Sequence, residues 1–157
     1  MATEIERKFL ITGYGWRDAK PVYYCQGYLN RDKYRTVRVR IAGDKGTLTV
    51  KGLTSGVKRE EYEYNIPLDD AKAMLSLCEG PIVEKNRRVI HHNGLKWEID
   101  EFLGDNEGLV VAEIELKTEN HSIDLPEWVG TEITGDARYF NSNLSKNPYK
   151  VWGEIGT

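Results

Sequence analysis

Glu4, Glu6 and Lys8 recur at every second position of the segment Thr3–Ile11. In an extended strand such residues project from one face, successive ones about 6.6 Å apart, while Ile5 and Phe9 take the other. Two carboxylates and an ammonium on one face could hold Mg²⁺ or Mn²⁺ through hard oxygen ligands and meet a phosphate oxygen with a point charge. A solvent-facing strand tolerates the same pattern. What the triplet does therefore depends on the strands around it.

Those strands repeat the pattern. Residues 36–41 alternate Arg38 and Arg40 with Val37, Val39 and Ile41, and after a turn at 43–46 the run 47–51 sets Thr47, Thr49 and Lys51 against Leu48 and Val50. Residues 57–66 carry Arg59, Glu61 and Glu63 on one face and Tyr62, Tyr64 and Ile66 on the other, with Glu60 interrupting the apolar face. Residues 82–90 bring Lys85 and Arg87 into phase, with the least regular alternation and room for a bulge. His92-Asn93-Gly94 signals a tight hairpin. The return strand 95–102 sets Glu98 and Asp100 against Leu95, Trp97 and Ile99, and residues 109–116 set Glu113 and Glu115 against Val110, Ala112, Ile114 and Leu116.

The remaining segments are plainer. Gly13, Gly15 and Pro21 mark a loop or short irregular helix, and residues 23–29 read as an aromatic-rich strand of undecided chemistry. Leu68, Ala71, Met74, Leu75 and Cys78 form a helical stripe that Gly80 is placed to end. Residues 128–133 predict a brief pairing, 136–144 a short helix, and the tail after Lys146 carries no signal.

Composition narrows the function classes. The 157 residues fit one domain, 1–157. Lys and Arg number 22 against 25 Asp and Glu, for a net charge of −3, which argues against a surface built for nucleic acid or an anionic membrane. Cys25 and Cys78 form no metal-binding spacing, and His91 and His92 point to opposite faces of a strand, so zinc or a disulfide framework is not expected. No apolar run approaches a membrane span and the N-terminus lacks a signal peptide, so the expected location is cytoplasmic. Oligomeric state is open, with a homodimer compatible.

Doubling Glu or Arg at i and i+2 in so many strands creates repulsion that something must offset. Closing the sheet with its charged face inward, around a small ligand, would do so. From the residues alone the expectation is seven or eight mostly antiparallel strands with one clear helix, an α+β or barrel-like domain. An open sheet with one solvated charged face is the alternative that alternation alone leaves standing.

Glu4-Ile5-Glu6-Arg7-Lys8 resembles the E-x-E-x-K signature of the CYTH domain, the triphosphate tunnel metalloenzymes. The resemblance runs on through Thr36 to Arg40, Leu48 to Gly52, Arg59 to Glu63, Lys85 to Arg87, Glu98 to Asp100, Ala112 to Leu116 and Glu132 to Asp136. It implies an α+β fold, a closed eight-stranded antiparallel β-barrel, or tunnel, with a charged interior and a few peripheral helices, that binds a triphosphate and Mg²⁺ or Mn²⁺. It also implies that Lys8, Arg38, Arg40, Lys51, Arg59, Lys85 and Arg87 surround phosphoryl oxygens. Metal ligands and water-orienting groups would come from Glu4, Glu6, Glu61, Glu63, Asp100, Glu113 and Glu115, with Glu98 a weaker candidate. Glu4, Glu6, Lys8 and Lys85 would then act at the reacting phosphorus. The implied reaction is in-line, metal-dependent hydrolysis of a terminal phosphate. The short chain, lacking an appended helical domain, points to inorganic tripolyphosphate. Nucleoside or thiamine triphosphate hydrolysis, adenylate cyclisation, and a non-catalytic polyphosphate or nucleotide sensor are the alternatives.

Overall fold

The computed structural model describes residues 3–152; the ends of the expected 1–157 span lie outside them. Nine strands form in chain order: β1 (Thr3–Ile11), β2 (Val22–Asn30), β3 (Arg35–Ala42), β4 (Lys45–Gly52), β5 (Lys58–Ile66), β6 (Glu79–His92), β7 (Leu95–Phe102), β8 (Val110–Glu115) and β9 (Val129–Glu132). Helix α1 (Leu68–Leu75) follows β5 and α2 (Asn141–Lys146) follows β9, with short 3₁₀ turns between elements. Among the described residues no helix is long and apolar enough to cross a membrane.

Eight strands make a closed ring in the order β5-β4-β3-β2-β6-β7-β8-β1, and antiparallel pairing of β1 with β5 completes it. β1 closes the ring by dividing its partners. Thr3, Glu4 and Ile5 pair with β5, residues 6–10 pair with β8, and β9 joins opposite Phe9 and Ile11 as a ninth strand outside the ring. Closure leaves the long strands without free edges. The hairpins follow the turn chemistry: Asn93 and Gly94 both take positive φ, 51° and 76°, as a two-residue turn between His92 and Leu95 requires.

Alternation sorts the side chains into two environments. On the outer face, Phe9, Trp97, Ile99, Ala112, Ile114 and Leu116 form a core with Trp16, whose 3₁₀ turn lies over them. Trp128 meets Trp97 edge-on, ring centroids 5.4 Å apart. Each large apolar side chain buried this fully contributes about 1.5–3 kcal/mol. Helix α1 covers β2, β3 and β4 through Ala71, and Gly46 leaves room for it, since a Cβ there would come within 2.8 Å of the Ala71 methyl. A second cluster, Val83, Phe102, Leu109, Val111, Ile133 and Leu144, packs with Leu10, Tyr139, Tyr149 and Trp152. Val83, Phe102 and Val111 stand in phase with the charged residues of their strands, so this cluster continues the barrel interior and plugs one end of it.

Two expectations need correction. α1 stops at Leu75, because Ser76 turns its hydroxyl back onto the Ala73 carbonyl (2.6 Å) and the chain tightens to 3₁₀ bonding. Gly80 serves β6 instead: its φ is +67°, and a Cβ would lie 2.6 Å from Arg31 Nη1. The expected helix over 136–144 breaks into a 3₁₀ turn, Ala137–Tyr139, and α2, because Phe140 adopts extended backbone between them. In the tail beyond Lys146, where the sequence carried no signal, Tyr149 and Trp152 pack against the interior plug. The irregularity expected near β6 is a register shift in its pairing with β2, between Gln26 and Tyr28.

Candidate active site

The register of the ring decides which charges meet. Glu6 faces Glu115 and Lys8 faces Glu113 across β1 and β8; Glu98 faces Glu113 across β7 and β8. Arg87 faces Asp100, Lys51 faces Glu61, and Glu4 faces Arg59 where the ring closes. All the candidate residues except Lys85 and Asp100 line one cavity of about 340 Å³ inside the barrel. Glu98 lines it as well.

One side of the cavity is basic. The Arg40 guanidinium donates from Nε to Gln26 Oε1 at 2.8 Å and, among the described residues, meets no carboxylate in an ion pair. Burial, then the neighbouring charges of Arg38 and Arg87, lowers its pKa to about 9. Arg59 donates to the Gly52 carbonyl (2.7 Å) and to Thr36 Oγ1 (3.3 Å), again without a carboxylate. Arg38 reaches Thr49 Oγ1 at 3.2 Å and Glu63 at 3.8 Å, and its Nε is buried without a partner. These are donors held ready for an anion.

The other side is acidic. Burial and a hydrogen bond shared with Glu61 raise the Glu4 carboxyl above its ordinary value, although Lys51, 3.0 Å away, opposes the shift. Burial and the charges of Glu4, Glu6 and Glu98 raise Glu115 likewise. Lys8 stands between the two sides, 3.6 Å from Glu6 and 3.7 Å from Glu113. Burial works to lower its pKa, but Glu113, Glu6 and Glu4 outweigh it and carry it to about 12, so the ammonium stays charged at neutral pH. Among the described residues no three His, Cys, Asp or Glu side chains converge as a ready-made metal cage. The donor set nonetheless fits a hard divalent cation, because carboxylates that repel one another in a partly desolvated wall gain from a positive charge among them.

Lys85 and Asp100 lie behind the cavity. Lys85 is fully buried and its Nζ is 2.6 Å from Asp100 Oδ2, while Arg87 grips the same carboxylate through Nε at 2.7 Å and Nη2 at 2.9 Å. Burial acts to raise the Asp100 carboxyl, but Arg87 and Lys85 override it and hold the group well below the usual carboxylate range. Arg87, also bound to Glu98 at 3.0 Å, is the member of this group that reaches the cavity.

The structure adds lining residues that the charge pattern did not single out: Tyr24, Tyr28, Thr36, Phe140, Asn141 and Ser142. Tyr24 and Tyr28 had a signal in the period-two face they share with Gln26, and the structure sets them opposite Lys85 and Arg38. Phe140 had none; it arrives from the C-terminal segment and places its ring 5.4 Å from Lys8 Nζ and 5.7 Å from the Arg59 guanidinium. His91 and His92 lie on the outer hairpin, and Cys25 and Cys78 are free thiols.

A closed antiparallel tunnel with a basic wall facing an acidic one defines a site for a small polyanion held with a cation. The family model of the CYTH domain matches residues 2–146. An inorganic triphosphatase of Acetivibrio thermocellus is 54% identical over 156 residues, covering 98% of this chain and 100% of that protein. An inorganic triphosphatase of Nitrosomonas europaea is 33% identical over 147 residues, 91% of this chain and 97% of its own length. A solved inorganic triphosphatase structure superposes with a TM-score of 0.66 at 31% identity, over 90% of this chain and 96% of that one. The chain belongs to the CYTH domain family. Dependence on a divalent metal comes with that membership.

Proposed function

We propose that this chain, acting as one domain over 1–157, is a cytoplasmic metal-dependent triphosphatase that hydrolyses the terminal phosphate of inorganic tripolyphosphate. The observation that carries the reading is the division of one cavity inside the barrel into two walls. Arg38, Arg40 and Arg59 hold underused donors on one side, and Glu4, Glu6, Glu113 and Glu115 crowd together on the other. Two relatives that align with nearly the whole chain carry the same activity in their names.

The cations bind and orient the substrate. Arg38, Arg40, Arg59, Arg87 and Lys51 take non-reacting phosphoryl oxygens, with guanidiniums suited to bidentate contact. Lys8, lodged between the walls at 3.6 Å from Glu6 and 3.7 Å from Glu113, meets the transferring phosphoryl group with its ammonium. Lys85 and Asp100 act one step back, fixing Arg87. Glu4, Glu6, Glu113 and Glu115 would hold Mg²⁺ or Mn²⁺, with Glu61 and Glu63 beside them. When bound, the ion supplies charge neutralisation at the phosphate oxygens. The carboxylates left free of it orient the attacking water, and no protein nucleophile is required. We assign no nucleic-acid or membrane partner, and a homodimer remains compatible with the reading.

Phosphate release from tripolyphosphate, ATP and thiamine triphosphate, with Mg²⁺, Mn²⁺ or excess chelator, tests this. Tripolyphosphate should give the highest kcat/KM, because a nucleoside adds bulk without matching charge. Chelation should abolish release and metal should restore it. Full turnover in chelator, or no release from any of the three with saturating metal, would overturn the proposal. Preferential use of ATP with a cyclic product would replace hydrolysis by cyclisation.

A further inference from the structure

A second cavity, of about 850 Å³, lies beyond the triphosphate cavity, walled by the β2–β3 loop, the β4–β5 loop and the segment leading into α2. The two cavities share Phe140 and Ser142, and a pocket of only about 20 Å³ beside Lys8, Arg59 and Phe140 lies between them. Phe140 is thus the partition. Its backbone is pinned, because its carbonyl accepts the amides of both Asn143 and Leu144 at 2.9 Å and Leu144 is buried in the interior plug. Its ring is pinned by the Lys8 and Arg59 cations against it.

The far side of the partition carries Arg31, Lys33 and Lys146. The two acids there are already engaged: Asp32 with Arg35 at 3.6 Å, and Glu132 with Arg7 at 2.7 Å. Lys33 and Lys146 enter no ion pair among the described residues, and Arg31 holds Glu79 only at 3.5 Å. Much of the remaining lining is apolar, with Tyr34, Leu53, Val57 and Ala137, but its charged groups leave an excess of positive charge, so the charged extension it suits is anionic. An aromatic ring offers no hydrogen bond to a phosphoryl oxygen, and pressing such an oxygen against it forfeits the solvation that the rest of the cavity wall replaces.

We propose that Phe140 is a length stop: its ring closes the triphosphate cavity against the cationic cavity and thereby selects three-unit over longer linear polyphosphates. This rests on the triphosphatase reading. With the ring removed the two cavities join, and a fourth phosphoryl unit passes between Lys8 and Arg59 towards Lys33 and Lys146.

The test compares kcat/KM for tripolyphosphate, tetrapolyphosphate and ATP in the wild type, Phe140→Ala, Phe140→Leu and Phe140→Trp. The tetrapolyphosphate to tripolyphosphate ratio should rise about tenfold or more in Phe140→Ala, as expected when a steric wall is cut back, less in Phe140→Leu, and not at all in Phe140→Trp. Adding Lys33→Ala and Lys146→Ala to Phe140→Ala should return the ratio towards the wild-type value. An unchanged ratio in Phe140→Ala and Phe140→Leu overturns the stop, and a gain for ATP without one for tetrapolyphosphate overturns the anionic assignment of the second cavity. Ligand-induced melting shifts with the two polyphosphates, read on the same variants, keep the tests apart. If the wild type turns over no triphosphate the catalytic reading fails, while a tetrapolyphosphate shift that grows only when the ring is cut back still upholds the stop. Equal shifts in wild type and Phe140→Ala overturn it.

Discussion

The guanidinium carbon of Arg40 stands 4.8 Å from the centroid of the Tyr24 ring, and the same ring serves Arg87 at 4.8 Å. Arg40 has no carboxylate in an ion pair among the described residues, so its compensation in the empty tunnel comes from Gln26 and from the negative face of this ring. Tyr24→Leu should raise KM for tripolyphosphate by about two- to thirtyfold, for a lost cation–π contact of about 0.5–2 kcal/mol. Tyr24→Phe keeps the ring and should keep the wild-type KM. Steady-state kinetics on both variants decide it, and a wild-type KM in Tyr24→Leu removes the ring from the argument.

Arg38 is buried with its Nε unpartnered, a cost that only a bound polyanion removes. Arg38→Ala should lower kcat/KM by about 100-fold or more, as for removal of a preorganised donor. Unliganded stability should be unchanged or higher by about 0.5–2 kcal/mol, since binding function opposes stability here. Melting with and without tripolyphosphate checks both, because ligand should stabilise the wild type far more than the variant. An undiminished ligand shift would contradict the binding role.

Asp100 is the shared partner of two buried basic side chains, Lys85 and Arg87. Asp100→Ala leaves Lys85 and Arg87 without it and should cost about 3–5 kcal/mol in urea unfolding. Adding Lys85→Met should recover part of that loss. A single substitution within about 1 kcal/mol of wild type would mean that Arg87 is held by something other than this carboxylate.

Glu4 and Glu115 have folded-state pKa values raised above the unfolded 4.5. The folded state therefore binds more protons than the unfolded state between those values, and stability from these groups falls as pH rises through the folded pKa. A divalent cation competes with those protons and relieves the repulsion that replaces them. The increase in Tm produced by Mn²⁺ should grow as pH rises above 4.5 through that window, and Glu115→Gln should shrink it. A Mn²⁺ shift that stays constant from acid to neutral pH would sink this account.

Period-two alternation placed Arg38 with Arg40, Glu61 with Glu63 and Glu113 with Glu115 because side-chain direction in a strand is a local property of the backbone. The hairpin at Asn93-Gly94 was legible for the same reason, since positive φ at successive residues leaves few alternatives. The charge doubling also argued for closure, because it creates a repulsion that an inward face with a ligand can offset. Face assignment and the hairpin are set by near neighbours along the chain, and the sequence by itself determined them; closure it only favoured, since an open sheet with one solvated face satisfies the same alternation.

Depth and partnership were decided by the tertiary structure. Nothing local distinguishes Lys85 from Lys51, yet the first is sealed against Asp100 beside the interior plug and the second lines the tunnel between Glu4 and Glu61. The difference arises from the level each residue occupies in the closed ring, which depends on the register of strands far apart in sequence. Phe140 reaches Lys8 only because β9 pairs with β1 and α2 anchors in the plug, so an apolar side chain from the last part of the chain becomes a wall of the site. Contacts of that kind follow from ring closure and long-range packing, and no periodicity along the chain encodes them.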